Sequence, residues 1–97
     1  MYLVRDVFRA KPGKAKNLVS SFKQAAPFME AEGFKNVKVM TDVVSNYWTV
    51  VLQTECESLD IYEKNARGFT SKPQVAEIMK GYMDNVEGGH REIFKIE

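Results

Sequence analysis

The chain of 97 residues has one cysteine, one histidine, one tryptophan and three prolines, and neither sign of charge dominates it. Each scarcity excludes something. A lone Cys56 cannot form an intrachain disulfide, and a reducing compartment is the simpler expectation. It stands between Glu55 and Glu57, whose charges are expected to raise the thiol pKa and quench a reactive thiolate. No window approaches 18 consecutive apolar residues, so no membrane span is expected. The opening "MYLVRDVF" lacks a charged leader ahead of a long apolar run. No secretory signal is therefore expected, and the cytoplasm is the expected location. Fourteen Lys and Arg against thirteen Asp and Glu give a formal net charge of +1. Binding to phosphates or to an anionic bilayer needs clustered positive charge, so neither nucleic acid nor a membrane is an expected partner. The densest basic stretch, "RAKPGKAK" at 9–16, reads as a solvated loop and helix start.

What is present is an ordinary globular composition, 44% apolar and 28% charged. The length suits one domain over residues 1–97. A chain this short buries only roughly 60–65% of its unfolded surface, so its core is thin and a partner subunit is a natural complement.

Residues 2–9, "YLVRDVFR", are rich in aromatic and β-branched types and predict a strand, stopped by Pro12 and Gly13. From Lys14 the period changes. Leu18, Phe22, Ala25 and Met29 recur at spacings of four, three and four, which predicts an amphipathic helix of about 17 residues. Pro27 is expected to kink or fray its last turn, and Gly33 to follow its end in a positive-φ conformation. Residues 34–44 and 47–54 alternate on either side of Ser45–Asn46 and predict an antiparallel hairpin. Its second strand is apolar on both faces along its middle, the pattern of a strand covered on both sides. Ser58 is placed to cap a second helix with Asp60 in its first turn and Leu59, Tyr62, Ala66 and Phe69 along one stripe. Gly68 marks a break. Ser71 with Gln74 reads as a capping box for a further helix, with Val75, Ile78, Met79, Tyr82 and Val86 on its apolar face. Gly88 and Gly89 are expected to end that helix, and "HREIFKIE" to form the last strand from His90.

The order is βαββαβ. That predicts a ferredoxin-like α+β fold: a four-stranded antiparallel sheet with both helices on one face. The doubly apolar third segment then requires a cover for the second face, and another copy of the chain is the cover expected.

Two stretches carry a family resemblance. "FRAKPGKAKNLVSSF" resembles the opening of the dimeric α+β barrel proteins, where a strand enters a K-P-G-K turn and then the first helix. "GHREIFKIE" is similar to the closing strand of their NIPSNAP-like members. The resemblance spans the whole chain in element order and about two dozen residues in motif. It implies a homodimer joined through sheet faces, with a small-molecule cavity between each sheet and its helices. Activities it brings into view are cofactor-free monooxygenation of polyphenols and oxidative haem degradation. The haem-degrading branch uses an Asn on the first strand, a Trp on the second helical segment and a His on the following helix. Here the first strand has Arg5 and Asp6, Trp48 falls on a strand, and His90 follows the glycines. Haem chemistry is therefore not expected, nor any metal or cofactor.

The candidate catalytic residue is His90, because an imidazole titrates near neutrality and can serve as a general base. The competing reading is a half-exposed strand residue that pairs across the sheet. Asp6, between Val4 and Phe8 on one face of its strand, is expected to point inward. A buried carboxylate needs a partner, for which Arg91, Arg67 or His90 is available. The expected ligand-binding set is Trp48, Asp6, Tyr62, Phe22 and Tyr82, from a pool of eleven aromatics that otherwise serve as core. Met29, Met79 and Met83 add adaptable surface to the helices above such a cavity. The function expected is binding of a small apolar or aromatic molecule between sheet and helices. Two alternatives stand beside it: a cofactor-independent monooxygenase on an aromatic substrate, and a structural dimer whose cavity its own side chains fill. A cavity of at least ~300 Å³ would favour the first two.

Overall fold

The computed structural model describes residues 1–68 and 72–97, with 66–68 by their backbone alone. Strand β1 (Tyr2–Ala10) leads into helix α1 (Ala15–Ala31), then strands β2 (Lys35–Thr41) and β3 (Thr49–Cys56). Helices α2 (Leu59–Gly68) and α3 (Pro73–Ile78), a 3₁₀ turn over Tyr82–Asn85 and strand β4 (Val86–Lys95) follow. The sheet order is β2-β3-β1-β4 and every pair is antiparallel. This is the ferredoxin-like α+β arrangement that the element order predicts.

Period decides which face each strand buries. Phe8 and Ala10 of β1, with Val50 and Leu52 of β3, pack on Leu18 and Phe22 of α1 and on Met79 and Tyr82 beyond α3. A second cluster joins Val4, Phe34 and Cys56 to Ile61 and Tyr62 of α2. Both clusters lie on the helix side of the sheet. β3 is the most enclosed strand; even Val51, on the opposite face, is buried between Val7 and Met40 of its neighbours.

Helix α1 runs through Pro27 to Ala31, and its end is closed by backbone bonds. The Gly33 amide donates to Glu30 O and the Phe34 amide to Met29 O, each at 3.1 Å, with Gly33 at φ +103°. That is a Schellman ending, completed by Phe34 packing on Met29.

Three expectations are corrected. The hairpin does not turn at Ser45–Asn46; β2 ends at Thr41 and β3 starts at Thr49. Asp42 is the reason. Its Oδ1 accepts from the Thr49 amide at 3.0 Å, and its own amide donates to Thr49 O at 3.2 Å. The Thr49 hydroxyl donates to Asn46 O at 2.7 Å, so side-chain bonds close a loop where a ladder was expected. Val43 and Val44, at 96% and 94% exposure, are left on the loop instead of in a strand face. Secondly, the last helix stops at Ile78 rather than near Val86, because Gly81 takes the left-handed conformation at φ +73° and turns the chain into the 3₁₀ segment. The Lys11 amide pins that segment by donating to Asn85 O at 2.8 Å. Thirdly, β4 begins at Val86, so Gly88 and Gly89 lie inside the strand and His90 near its middle. Gly89 is there for space: a Cβ would overlap the Val7 carbonyl oxygen and come within 3.1 Å of Phe8 Cα.

On α2 the buried stripe includes Ile61 and Asn65, while Leu59 is exposed. The capping residue Ser71 and the Phe69 position fall outside the described residues, as do the side chains of Ala66 and Arg67.

Candidate functional site

The helix side of the sheet does not close completely. Between it and the helices lies a cavity of about 170 Å³. Phe8, Phe22, Phe34, Leu52 and Met29 give it apolar surface, and Asp6, Arg91, Tyr62, Thr54 and Asn65 set polar groups among them. Phe22 anchors the apolar part, its ring 5.0 Å from that of Phe8 and 6.5 Å from that of Tyr82. The volume is below the ~300 Å³ expected of a ligand pocket. It remains adequate for one ring, since an apolar cavity of about 150 Å³ holds benzene.

Strand register brings two of the polar groups together. Asp6 of β1 stands directly opposite Arg91 of β4, both on the helix side. Arg91 Nε donates to Asp6 Oδ1. A guanidinium NH group of the same residue donates to the Tyr62 hydroxyl, and its carbon sits 5.3 Å from the centre of the Tyr62 ring. The hydrogen bond to Asp6 holds the Arg91 pKa above its ordinary value, against the opposing effect of partial burial. One arginine thus ties β4, β1 and α2 together at the edge of the cavity. Asp6 points inward as expected, and of the three partners considered it has Arg91.

Asp6, Tyr62, Phe22 and Tyr82 of the expected binding set therefore meet around one cavity. Trp48 does not join them. It sits in the β2–β3 loop at φ +65°, its carbonyl accepting from the Ala10 amide at 2.8 Å. With Tyr47 it borders an open groove against Ala15 and Val19 of α1. His90 lies one residue from Arg91 and so faces the other side of the sheet, opposite Val7. Its Nε2 is 3.2 Å from Glu92 Oε2, and it does not line the cavity. Met29 and Met79 line the cavity, whereas Met83 is exposed.

Sequence reasoning missed Asn65 and passed over Thr54. Asn65 follows Tyr62 by three residues and Ile61 by four, so helical spacing alone places it on their stripe. Cys56 is buried as an apolar residue, and burial, not its glutamate neighbours, pushes the thiol up.

No protein-family profile matches the chain, and no curated protein matches it in sequence. Solved structures do match in fold. A NIPSNAP family protein of unknown function from Agrobacterium tumefaciens superposes with a TM-score of 0.80 at 13% identity, over 99% of this chain and 87% of that one. An uncharacterized NIPSNAP domain protein from Burkholderia xenovorans gives 0.80 at 10% identity, over 100% and 95%. A putative antibiotic biosynthesis monooxygenase from Chloroflexus aurantiacus gives 0.77 at 15% identity, over 99% and 92%. The chain has the ferredoxin-like α+β fold of these proteins along its whole length.

Proposed function

We propose that the protein binds a small apolar or aromatic molecule in the cavity between its sheet and helices. The observation behind this reading is a pocket lined mainly by apolar side chains with a few hydrogen-bonding groups among them, as ligand sites are. The test uses Ala25, which is buried on α1 and lines the cavity. One-ring compounds such as toluene and benzyl alcohol should raise the thermal midpoint of the protein, and Ala25→Leu should abolish the shift by filling the space. Equal shifts in both proteins would sink the reading.

The working form is proposed to be a homodimer joined through the outer sheet faces, in the cytoplasm. Leu3, Val7 and Phe94 share that face with Arg5 and Glu92. Arg5 Nε is shielded there with no hydrogen-bond acceptor among the described residues, 3.7 Å from Glu92 Oε1. An acceptor on a facing copy would satisfy it. Sedimentation should give twice the 11.1 kDa of one chain, reverting to one chain in Val7→Arg. The alternative of cofactor-independent oxygenation is favoured by one observation, the Tyr62 hydroxyl beside the Asp6–Arg91 pair at the cavity. Oxygen consumption with a hydroquinone, lost in Tyr62→Phe and kept in His90→Ala, would establish it.

A further inference from the structure

The groove between α1 and the β2–β3 loop holds about 770 Å³ and shares no lining residue with the helix–sheet cavity. That volume lies within the ~300–1,000 Å³ usual for ligand sites. Its apolar surface comes from Ala15 and Val19 on the helix and from Tyr47 and Trp48 on the loop. The loop side is fixed from beneath: Trp48 O accepts from the Ala10 amide, and Asp42 exchanges two hydrogen bonds with Thr49. Trp48 stands at φ +65°, a left-handed conformation that is costly for a bulky residue. It nevertheless stays 42% exposed, beside Tyr47 at 85%. Three charged side chains line the groove, Lys16 and Lys23 of α1 and Asp42 just past β2. Asp42 is engaged with the Thr49 amide, whereas neither lysine has a partner among the described residues. The lysines stand seven residues apart, two turns and roughly 10 Å along the helix, with Val19 between them. An anionic group at either end of the apolar surface therefore meets an unpaired cation.

We infer that this groove is a second binding site, for a planar aromatic anion such as an aryl carboxylate or sulfonate. The rings lie against Trp48 and Val19, covering apolar surface now left to water, and the acid meets Lys16 or Lys23. Neither half suffices alone. An ion pair with an exposed lysine is worth little in water, so an aliphatic acid is not retained. An uncharged aromatic forgoes the lysines. The spacing of the lysines suits a ligand longer than one ring, which the 170 Å³ cavity under the helices does not admit.

The test is titration of the full chain at neutral pH with 2-naphthoate, its uncharged carboxamide and cyclohexanecarboxylate. Trp48 is the only tryptophan, so the single indole N–H resonance in a nitrogen–proton correlation spectrum reports on this groove. Naphthoate should move it saturably, the carboxamide should bind severalfold more weakly, and cyclohexanecarboxylate should not saturate. Lys16→Gln with Lys23→Gln should bring naphthoate down to the carboxamide's affinity and leave the carboxamide unchanged. By calorimetry, Trp48→Gly should weaken naphthoate about tenfold, with the backbone kept because glycine adopts that φ without strain. If Trp48→Gly does not fold, Tyr47→Ala removes the exposed neighbouring ring and should weaken naphthoate severalfold. Ala25→Leu, which fills the other cavity, should leave naphthoate binding unchanged, so the two sites succeed or fail separately. Equal affinity for naphthoate and its carboxamide would overturn the inference, as would naphthoate binding that survives loss of both lysines. So would an indole resonance that naphthoate leaves in place and only phosphatidylglycerol vesicles move, which would assign the exposed loop to a lipid surface instead.

Discussion

Removing either member of the Asp6–Arg91 pair should have unequal consequences. Asp6 has 16% of its side chain exposed and Arg91 49%. Arg91→Met leaves a mostly enclosed carboxylate facing the cavity, with no other cation on the described lining. Breaking a buried pair in this way costs about 3–5 kcal/mol, and partial access of water at the Arg91 end reduces that to about 2–3 kcal/mol here. Asp6→Val instead leaves a half-exposed guanidinium that water can solvate, so its cost should be about 1 kcal/mol or less. Replacing both should return stability to within about 1 kcal/mol of the parent, because a well-packed apolar pair often matches a buried ion pair. Tyr62→Phe is the control. It removes the hydrogen bond from Arg91 without touching the charge, at about 1 kcal/mol. Urea unfolding of the four variants would measure these differences, and Arg91→Met alone should lower the thermal midpoint by about 10 °C or more. Equal costs for Arg91→Met and Asp6→Val would refute the reasoning, since they would mean that both groups are equally wet.

Gly89→Ala should cost more than about 2 kcal/mol, because the new methyl meets strand backbone that cannot move without breaking the β1–β4 ladder. Gly88→Ala meets only the end of the Arg9 side chain at 3.7 Å and should cost no more than about 1 kcal/mol, so similar unfolding midpoints would contradict the contact. Burial pushes the Cys56 thiol up, so its contribution to stability is present below the ordinary thiol value and lost as pH rises through the raised one. The folded protein should accordingly resist a disulfide-exchange dye at pH 8 and react on addition of urea; prompt native labelling would refute this. Hydrogen bonding to Lys35, Nζ to Oε1 2.6 Å, holds the Glu57 carboxyl below its usual range. That contribution is present above the ordinary carboxylate value and lost as pH falls through the lowered one. Both groups are exposed, so Glu57→Gln should flatten the acid limb of the stability profile only slightly, and a large change would show a role beyond this pair.

Element order was legible because two periods are distinguishable from residue type alone. The stripe Leu18, Phe22, Ala25 is buried in α1, and Gly33 closes that helix where its conformational freedom is needed. The errors fall where a local bond overrides the pattern. Val43 fits the alternation of β2, yet the Asp42 carboxylate captures the Thr49 amide and ends the strand two residues earlier. Gly88–Gly89 reads as a helix stop when neighbours in sequence are all that is known. The requirement that Gly89 meets is the close approach of β1, a strand some eighty residues away. Gly81, the residue that does turn the chain, has no stronger sequence signal than they have.

The same distinction separates Asp6 from His90. An inward carboxylate is legible because alternation fixes the face of β1 and burial of a charge demands a partner, whatever that partner is. Strand register then supplies Arg91, and nothing short of the paired β1–β4 ladder could have chosen it over Arg67 or the imidazole. His90 attracted attention through being unique, which is a property of composition and not of position. One residue of shift along β4 is enough to put it on the opposite face from Asp6, because side chains in a strand alternate with a period of two. The side chains that this part of the sheet turns toward the helices are therefore those at the even positions of β1 and the odd positions of β4. The residues most worth substituting are Asp6, Arg91 and the polar Thr54 and Asn65 that line the same cavity.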